Sequence, residues 1–303
     1  MADGVPAIRL VHLAKKYGRI VALDDVSLDV DAGEIFGFLG VNGAGKTTTI
    51  RILLDLVRAT AGRAEVFGRD SRADGLDVRG GIGYLPSELG FYGDMTGAAT
   101  LDLLARLGRR SVDMHRQRAL LDRLELSASD LRRRIREYST GMRRKLGLVQ
   151  AFQSDPPLLI LDEPTDGLDP IMQDVVYALL ADARQRGRTV FMSSHVLPEV
   201  ERVCDRLALL RRGRLVLVSP VADVRRMSAR TVDVTFSEAV APPPSWPDGC
   251  EAIDIAPHRW RLRVAGSMGP LMARLAGLPI ADLDVREARL EDILRHYYRE
   301  ETP

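Results

Sequence analysis

Polar and apolar positions alternate over residues 7–13 and again over 20–30, the period of half-buried strands. A turn at 31–33 follows, and then Ile35–Leu39, a short run with no charged residue, which reads as a buried strand. These three segments predict an antiparallel pair feeding a core sheet. A helix is expected over 48–56, strands over 62–67 and 81–85, and a loop over 86–90. From about 95 to 150 the pattern turns helical, with leucines at 101, 103, 104 and 107 and again at 120, 121 and 124, and few β-branched residues. This block interrupts the α/β alternation as an inserted helical subdomain (about 95–155), closed by Pro156 and Pro157. Four aliphatics at 158–161 then predict a central parallel strand ending in two acids, Asp162 and Glu163. A helix over 170–186 leads to a strand over 189–193 that ends at Ser194 and His195. A helix over 197–204 and a hairpin over 207–218, turning at Arg212 and Gly213, complete the first domain, residues 1–220.

Residues 221–303 have a different rhythm: a helix at 221–227, a strand at 231–236, a proline-rich loop at 242–247, a hairpin from 250–255 and 259–264, a helix at 271–275, a strand at 280–285 and an amphipathic helix at 290–298. That order predicts a small α+β domain of ferredoxin-like kind, with no catalytic constellation.

Composition narrows the function without naming it. The chain has 303 residues, enough for one large or two modest domains. Its net charge of +1 gives no bulk electrostatic case for nucleic acid as a partner. Basic runs at 109–110 and 132–136 read as solvated helix faces. Two cysteines, Cys204 and Cys250, make no disulfide framework and fit a reducing compartment. There is no signal-peptide pattern and no apolar run of the roughly 18 residues that a spanning helix needs. Any service to a membrane is expected from its cytoplasmic side, through another polypeptide.

The chemistry is concentrated after the strand Ile35–Leu39. Gly40, Val41, Asn42, Gly43, Ala44, Gly45, Lys46 and Thr47 fit the phosphate-loop pattern G-x-x-x-x-G-K-[ST], with Thr48 opening the helix behind them. Glycines let the backbone turn and approach a ligand, so that amides at a helix N-terminus form a nest for phosphate oxygens. Lys46 would reach the β- and γ-phosphates of ATP, and the Thr47 hydroxyl would ligate Mg²⁺. Asp162 and Glu163 end a central strand, where ligands of open α/β sheets sit. Asp162 suits a direct or water-mediated Mg²⁺ contact, and Glu163 can orient and deprotonate the attacking water. His195, at the end of another core strand beside a phosphate site, reads as a functional residue rather than a core histidine. Tyr17 either stacks on a nucleotide base or is an ordinary hairpin tyrosine.

Together with Tyr138, Ser139, Thr140, Gly141 and Met142, these residues resemble the ATP-binding-cassette (ABC) ATPases, over roughly residues 7–220. Ser139 and Gly141 match the family's Leu-Ser-Gly-Gly-Gln signature and three positions differ; the form here resembles the branch serving ABC-2-type exporters, including drug-resistance and sodium-efflux ATPases. The resemblance implies the α/β fold of a P-loop NTPase, with an antiparallel β subdomain, the inserted α-helical subdomain and an accessory C-terminal domain. It implies two cassettes, a homodimer by default, facing head to tail, the Ser139–Gly141 signature of one completing the ATP site of the other. Tyr17 matches the base-stacking aromatic, Asp169 the loop that crosses the dimer interface, and His195 the switch histidine on the γ-phosphate. A membrane permease of the ABC-2 type is the implied partner, with the ATPase peripheral on the cytoplasmic face and the cargo a drug, antibiotic or other small hydrophobic compound. A soluble ABC ATPase without a transporter, an import ATPase and a non-hydrolysing ATP switch remain as other readings. One position departs from the family: Ser87 stands where a glutamine usually contacts Mg²⁺ and water. Either Glu88 substitutes for it or turnover and coupling are altered. Arg289 to Leu294 resemble the end of the accessory domain.

Overall fold

The computed structural model describes residues 4–108, 110–227 and 230–286. The chain divides into two compact units, Met1–Val218 and Ser219–Pro303. In the first, β1 (Ile8–Tyr17) and β2 (Ile20–Val30) form the expected hairpin, followed by β3 (Ile35–Leu39), α1 (Lys46–Leu53), β4 (Ala61–Val66), β5 (Arg69–Asp70), α2 (Gly75–Gly80) and β6 (Ile82–Leu85). Then come the helices α3 (Gly97–Leu107), α4 (Met114–Arg123) and α5 (Ala128–Arg132), a 3-10 turn at Ile135–Glu137, and α6 (Thr140–Phe152). The α/β alternation resumes with β7 (Leu158–Asp162), α7 (Pro170–Gln185), β8 (Thr189–Ser194), α8 (Leu197–Val203), β9 (Arg206–Arg211) and β10 (Arg214–Pro220).

The antiparallel pair leads through the turn at 31–33 into the core strand β3 without joining the core sheet, in keeping with the expected antiparallel β subdomain. β1 and β2 belong to a separate sheet of order β2-β1-β4-β5, while the core sheet runs β10-β9-β3-β8-β7-β6. The reason is nonlocal: β1 finds its second partner in β4, with Ile8 opposite Val66 and Leu10 opposite Ala64. Alternation in β1 and β2 gives each one apolar face, and both faces turn onto α1. That helix touches β2 and β4 on one side and β7 on the other, so Ile50, Ile52 and Leu53 lie in one cluster with Leu10, Leu28, Phe36, Phe38, Leu158 and Ile160. The phosphate loop is therefore anchored to a helix held between two layers. In the core sheet β3 pairs in parallel with β8 and β9, and β7 with β6 and β8. All residues of β3, β7 and β8 are buried, as expected for parallel strands covered on both faces.

Helix α6 starts where Ser139 accepts a hydrogen bond from the Met142 amide, and α7 where Asp169 caps Met172 with Pro170 behind it, both ordinary start devices. The helical block closes on itself where the Tyr138 hydroxyl donates to the Asp130 carbonyl at 2.8 Å and leaves no room for a Cβ at Gly97.

The second unit contains α9 (Val221–Met227), β11 (Arg230–Phe236), β12 (Cys250–Ala256), β13 (Arg259–Val264), α10 (Gly269–Leu275) and β14 (Ile280–Arg286). Its antiparallel sheet has the order β12-β13-β11-β14. That is the ferredoxin-like strand order, but the crossover from β11 to β12 is a loop holding Pro242, Pro243, Pro244 and Pro247 instead of a helix, since proline removes the donors a helix needs. Its core joins Val232, Val234, Leu262 and Val264 to Leu271 and Leu275 of α10, around Trp260. Phe236 and Trp246 meet Trp260 edge-on, at centroid distances of 4.6 and 5.3 Å. The amphipathic helix expected at 290–298 and the resemblance at 289–294 lie outside the described residues.

Candidate functional site

The carboxyl ends of β3, β7 and β8 meet at one cleft of about 500 Å³, lined by Ile20, Val21 and Ala22 of β2, by residues 41–48, and by Ser87, Glu88, Glu163, Asp166 and His195. Gly43 (φ 82°) and Gly45 (φ 114°) turn the loop through backbone conformations that L-residues rarely adopt. A Cβ on Gly45 would also stand 2.6 Å from the Ala22 carbonyl oxygen. The loop's amides open α1 with no side-chain cap at its N-terminus, which is the anion-binding end of a helix.

Lys46 is buried, and its ammonium donates to the Gly40 carbonyl and pairs with Glu163 Oε1 at 3.2 Å. Glu163 Oε2 meets His195 Nδ1 at 2.9 Å. A base, a cation and a half-exposed imidazole thus form one chain of contacts across the cleft. Glu163 itself has φ 53°, a strained turn for a non-glycine residue, of the kind that clusters at functional sites. Its amide is fixed by Ser193, which accepts through Oγ at 3.1 Å and through its carbonyl at 3.3 Å. The same Ser193 hydroxyl donates to Asp162 Oδ1, and Thr47 Oγ1 donates to Asp162 Oδ2 at 3.1 Å. Burial raises the Tyr84 pKa, and the Asp162 charge adds to it.

The predicted residues separate into two groups. Asn42, Gly43, Ala44, Gly45, Lys46, Thr47, Thr48, Ser87, Glu163 and His195 line the cleft; Gly40 and Asp162 sit directly behind it, bonded to Lys46 and Thr47. Ser139, Gly141 and Asp169 do not line it. They stand at the N-termini of α6 and α7, where Gly141 approaches the Gly167 carbonyl, 3.4 Å from where its Cβ would be. Tyr17 also lies outside the lining. It ends β1, exposed, with Lys15 Nζ 4.7 Å from its ring centroid, and its register partner Ile20 reaches the cleft in its place.

The ABC transporter family matches residues 23–166. Among characterised relatives, the bacitracin transport ATP-binding protein BcrA of Bacillus licheniformis is 34% identical over 237 residues, covering 76% of this chain and 75% of that protein. The chain belongs to the ABC transporter ATP-binding proteins. The daunorubicin resistance ATP-binding protein DrrA3 of Streptomyces coeruleorubidus is 36% identical over 242 residues, 79% of this chain and 76% of that one. A solved structure of the ATP-binding subunit of an ABC transporter superposes with a TM-score of 0.68 at 29% identity, over 73% of this chain and 92% of that one.

Three residues of this ATPase escaped sequence reasoning. Ser193 reads as the end of a buried strand, yet it holds both acids. Glu199 of α8 accepts from Thr165 Oγ1 at 2.8 Å and Ser194 Oγ at 3.0 Å, tying the segment after Glu163 to the residue before His195. It also helps raise the Tyr177 pKa to about 12, after burial, the larger cause. Arg144 of α6 is buried, and burial lowers its pKa against the opposing charges of Asp166, Asp162 and Glu163. None of the three has a local pattern, because each acts on residues that are distant or incidental in sequence.

Proposed function

We propose that this chain is the ATP-hydrolysing subunit of an exporter, working as a head-to-tail pair of identical cassettes on the cytoplasmic face of a membrane beside an ABC-2-type permease. The observation that carries the reading is the arrangement of Lys46, Glu163 and His195 as one contact chain in a phosphate-loop cleft, while Ser139 and Gly141 lie outside that cleft at a helix start. Such a helix start, with a small hydroxyl and a glycine, suits the phosphates of a nucleotide held by a second copy. Among the described residues no helix is long and apolar enough to cross a membrane; in this reading the cargo path is assigned to the permease. The similarity to BcrA and DrrA3 favours an antibiotic or another small hydrophobic compound as cargo.

The residues fit the nucleotide and its metal. Glycine turns, loop amides at a helix N-terminus without a side-chain cap, and a buried ammonium suit polyphosphate. Thr47 and Asp162 offer hard oxygen ligands, with Ser87 at the cleft wall. Among the described residues no group of three His, Cys, Asp or Glu could hold a metal alone, which fits Mg²⁺, a cation bound by one or two protein oxygens together with substrate phosphates. When bound, Mg²⁺ supplies neutralisation of phosphate charge. The chain's own residues do the rest. The loop amides and Lys46 hold the phosphates, and Lys46 exchanges Glu163 for phosphate oxygen as it does so. Glu163 then orients a water and takes its proton, its position fixed by the Ser193 contacts. His195 Nδ1 holds Glu163 Oε2 and so orients the base, while its ring faces the cleft for a terminal phosphate. Catalysis is mainly positioning and electrostatic stabilisation.

The test is ATP hydrolysis by the purified protein with and without Mg²⁺, beside Glu163→Gln. The wild type should turn over only with Mg²⁺, and the variant should lose about 100- to 10,000-fold, the usual worth of a general base. A variant with wild-type turnover refutes the role of Glu163.

A further inference from the structure

Arg144 is 4% exposed, and a guanidinium stays protonated wherever it is placed. A buried cation persists only where acceptors surround it. Here the acceptors are backbone carbonyls of two different loops. Nη1 donates to Pro86 O at 2.9 Å, Nη2 to Ser87 O at 2.9 Å and Nε to Asp166 O at 3.2 Å, with the Asp166 carboxylate 3.8 Å away. Ser87 and Asp166 are both walls of the nucleotide cleft. Arg144 itself belongs to α6, whose first residues carry Ser139 and Gly141. A single planar fork therefore joins three parts of the ATPase: the loop after β6, the loop after β7, and the helix start assigned to the second copy's nucleotide. The geometry needs arginine, since three donors fixed in a plane reach carbonyls on two loops at once, and a lysine ammonium on a flexible stem does not reproduce this.

We propose that Arg144 is a positioning residue that sets the Ser87 and Asp166 walls of the cleft and transmits their position to the Ser139–Gly141 helix start, controlling turnover and cooperativity rather than nucleotide affinity. This rests on the head-to-tail pairing proposed above. It also gives a place to the unusual Ser87. The loop is gripped by its main chain, at Pro86 O and Ser87 O, so its position does not depend on a long side chain at 87.

The experiment compares wild type, Arg144→Met and Arg144→Lys in the full chain, reading steady-state hydrolysis against ATP concentration, binding of a fluorescent ATP analogue and thermal unfolding. The expected result is a fall in kcat of tenfold or more for Arg144→Met. Its nucleotide Kd should stay within about twofold, since the phosphate contacts are made by other residues, and its Hill coefficient should drop toward one. Arg144→Lys should lie between the two, and carries the test alone where Arg144→Met does not fold. A turnover and Hill coefficient equal to wild type in Arg144→Lys overturn the proposal, as does a loss of kcat matched by an equal loss of nucleotide affinity. The pairing is checked separately with Glu163→Gln at saturating ATP. If that variant forms a dimer while Arg144→Met and Arg144→Lys keep wild-type kcat, Arg144 alone has been misassigned. If it remains monomeric, the pairing fails and the transmission to α6 fails with it.

Discussion

Replacing Ser193 by alanine removes one hydroxyl that serves two acids. The side chain is fully buried, so water cannot take its place. Its bond to the Asp162 carboxylate is charge-assisted, a class worth about 1.5–3 kcal/mol. Its second bond, from the Glu163 amide at 3.1 Å, is partly backed up by the Ser193 carbonyl at 3.3 Å and adds about 0.5–1 kcal/mol. The sum is about 2–4 kcal/mol. For a unit of this size, Met1–Val218, each kcal/mol moves Tm by about 2–4 °C, so calorimetry should show a fall of about 5–15 °C. Function should suffer beyond stability. With Asp162 Oδ1 released and Glu163 held by one bond instead of two, the base loses its fixed aim, and kcat measured well below the new Tm should fall about tenfold or more. A Tm within about 2 °C of wild type together with unchanged kcat would show that Ser193 does not organise the two acids.

Gly45→Ala combines φ 114° with a Cβ 2.6 Å from Ala22 O and 2.8 Å from Leu23 Cδ2; titration with a fluorescent ATP analogue should show affinity weakened by about 100-fold or more, the result of a displaced loop, and a Kd within threefold of wild type refutes the tight loop. Asp155 meets Arg116 at 2.7 Å, Arg188 at 2.6 Å and Arg186 at 3.4 Å; burial pushes its pKa up, but Arg188, Arg116 and Arg186 together hold it below the usual range. A depressed pKa contributes stability above the unfolded carboxylate range that is lost as pH falls through the folded value. Asp155→Asn, which tolerates the positive φ here, should therefore cost about 1–3 kcal/mol at pH 7, with the Tm gap to wild type shrinking as pH falls below the usual carboxylate range; a gap independent of pH refutes the pairing. Burial raises the pKa of both thiols, and Cys204 is the more deeply buried, so iodoacetamide on the folded protein should label Cys250 first and Cys204 only on unfolding; equal labelling contradicts the packing around Cys204.

Sequence patterns revealed those parts of the site whose chemistry is local. The phosphate loop is a contiguous run whose glycines have steric reasons visible in the string itself, and Asp162, Glu163 and His195 announce themselves as polar residues at the ends of apolar strands. What stayed hidden depends on contacts across the fold. Ser193 is 30 residues from Glu163, and Arg144 is 58 residues from Pro86. Within the Asp166–Asp169 turn, Asp166 lines the cleft, a place that no motif position assigned to it. The separate sheet of β1 and β2 came from the resemblance and not from the pattern, since its pairing with β4 spans the whole phosphate loop and α1. The C-terminal unit was legible strand by strand, and Pro242, Pro243, Pro244 and Pro247 marked the loop between β11 and β12.

The central claim is that each ATP site is completed by the Ser139–Gly141 helix start of a second copy. The most direct measurement is the oligomer size of Glu163→Gln by light scattering, with and without saturating ATP, beside the double variant Glu163→Gln, Ser139→Arg. The single variant should be a monomer without nucleotide and a dimer with it; the double variant should bind ATP with the same Kd and remain a monomer. A single variant that stays monomeric at saturating ATP, or a double variant that dimerises equally well, would contradict the composite site.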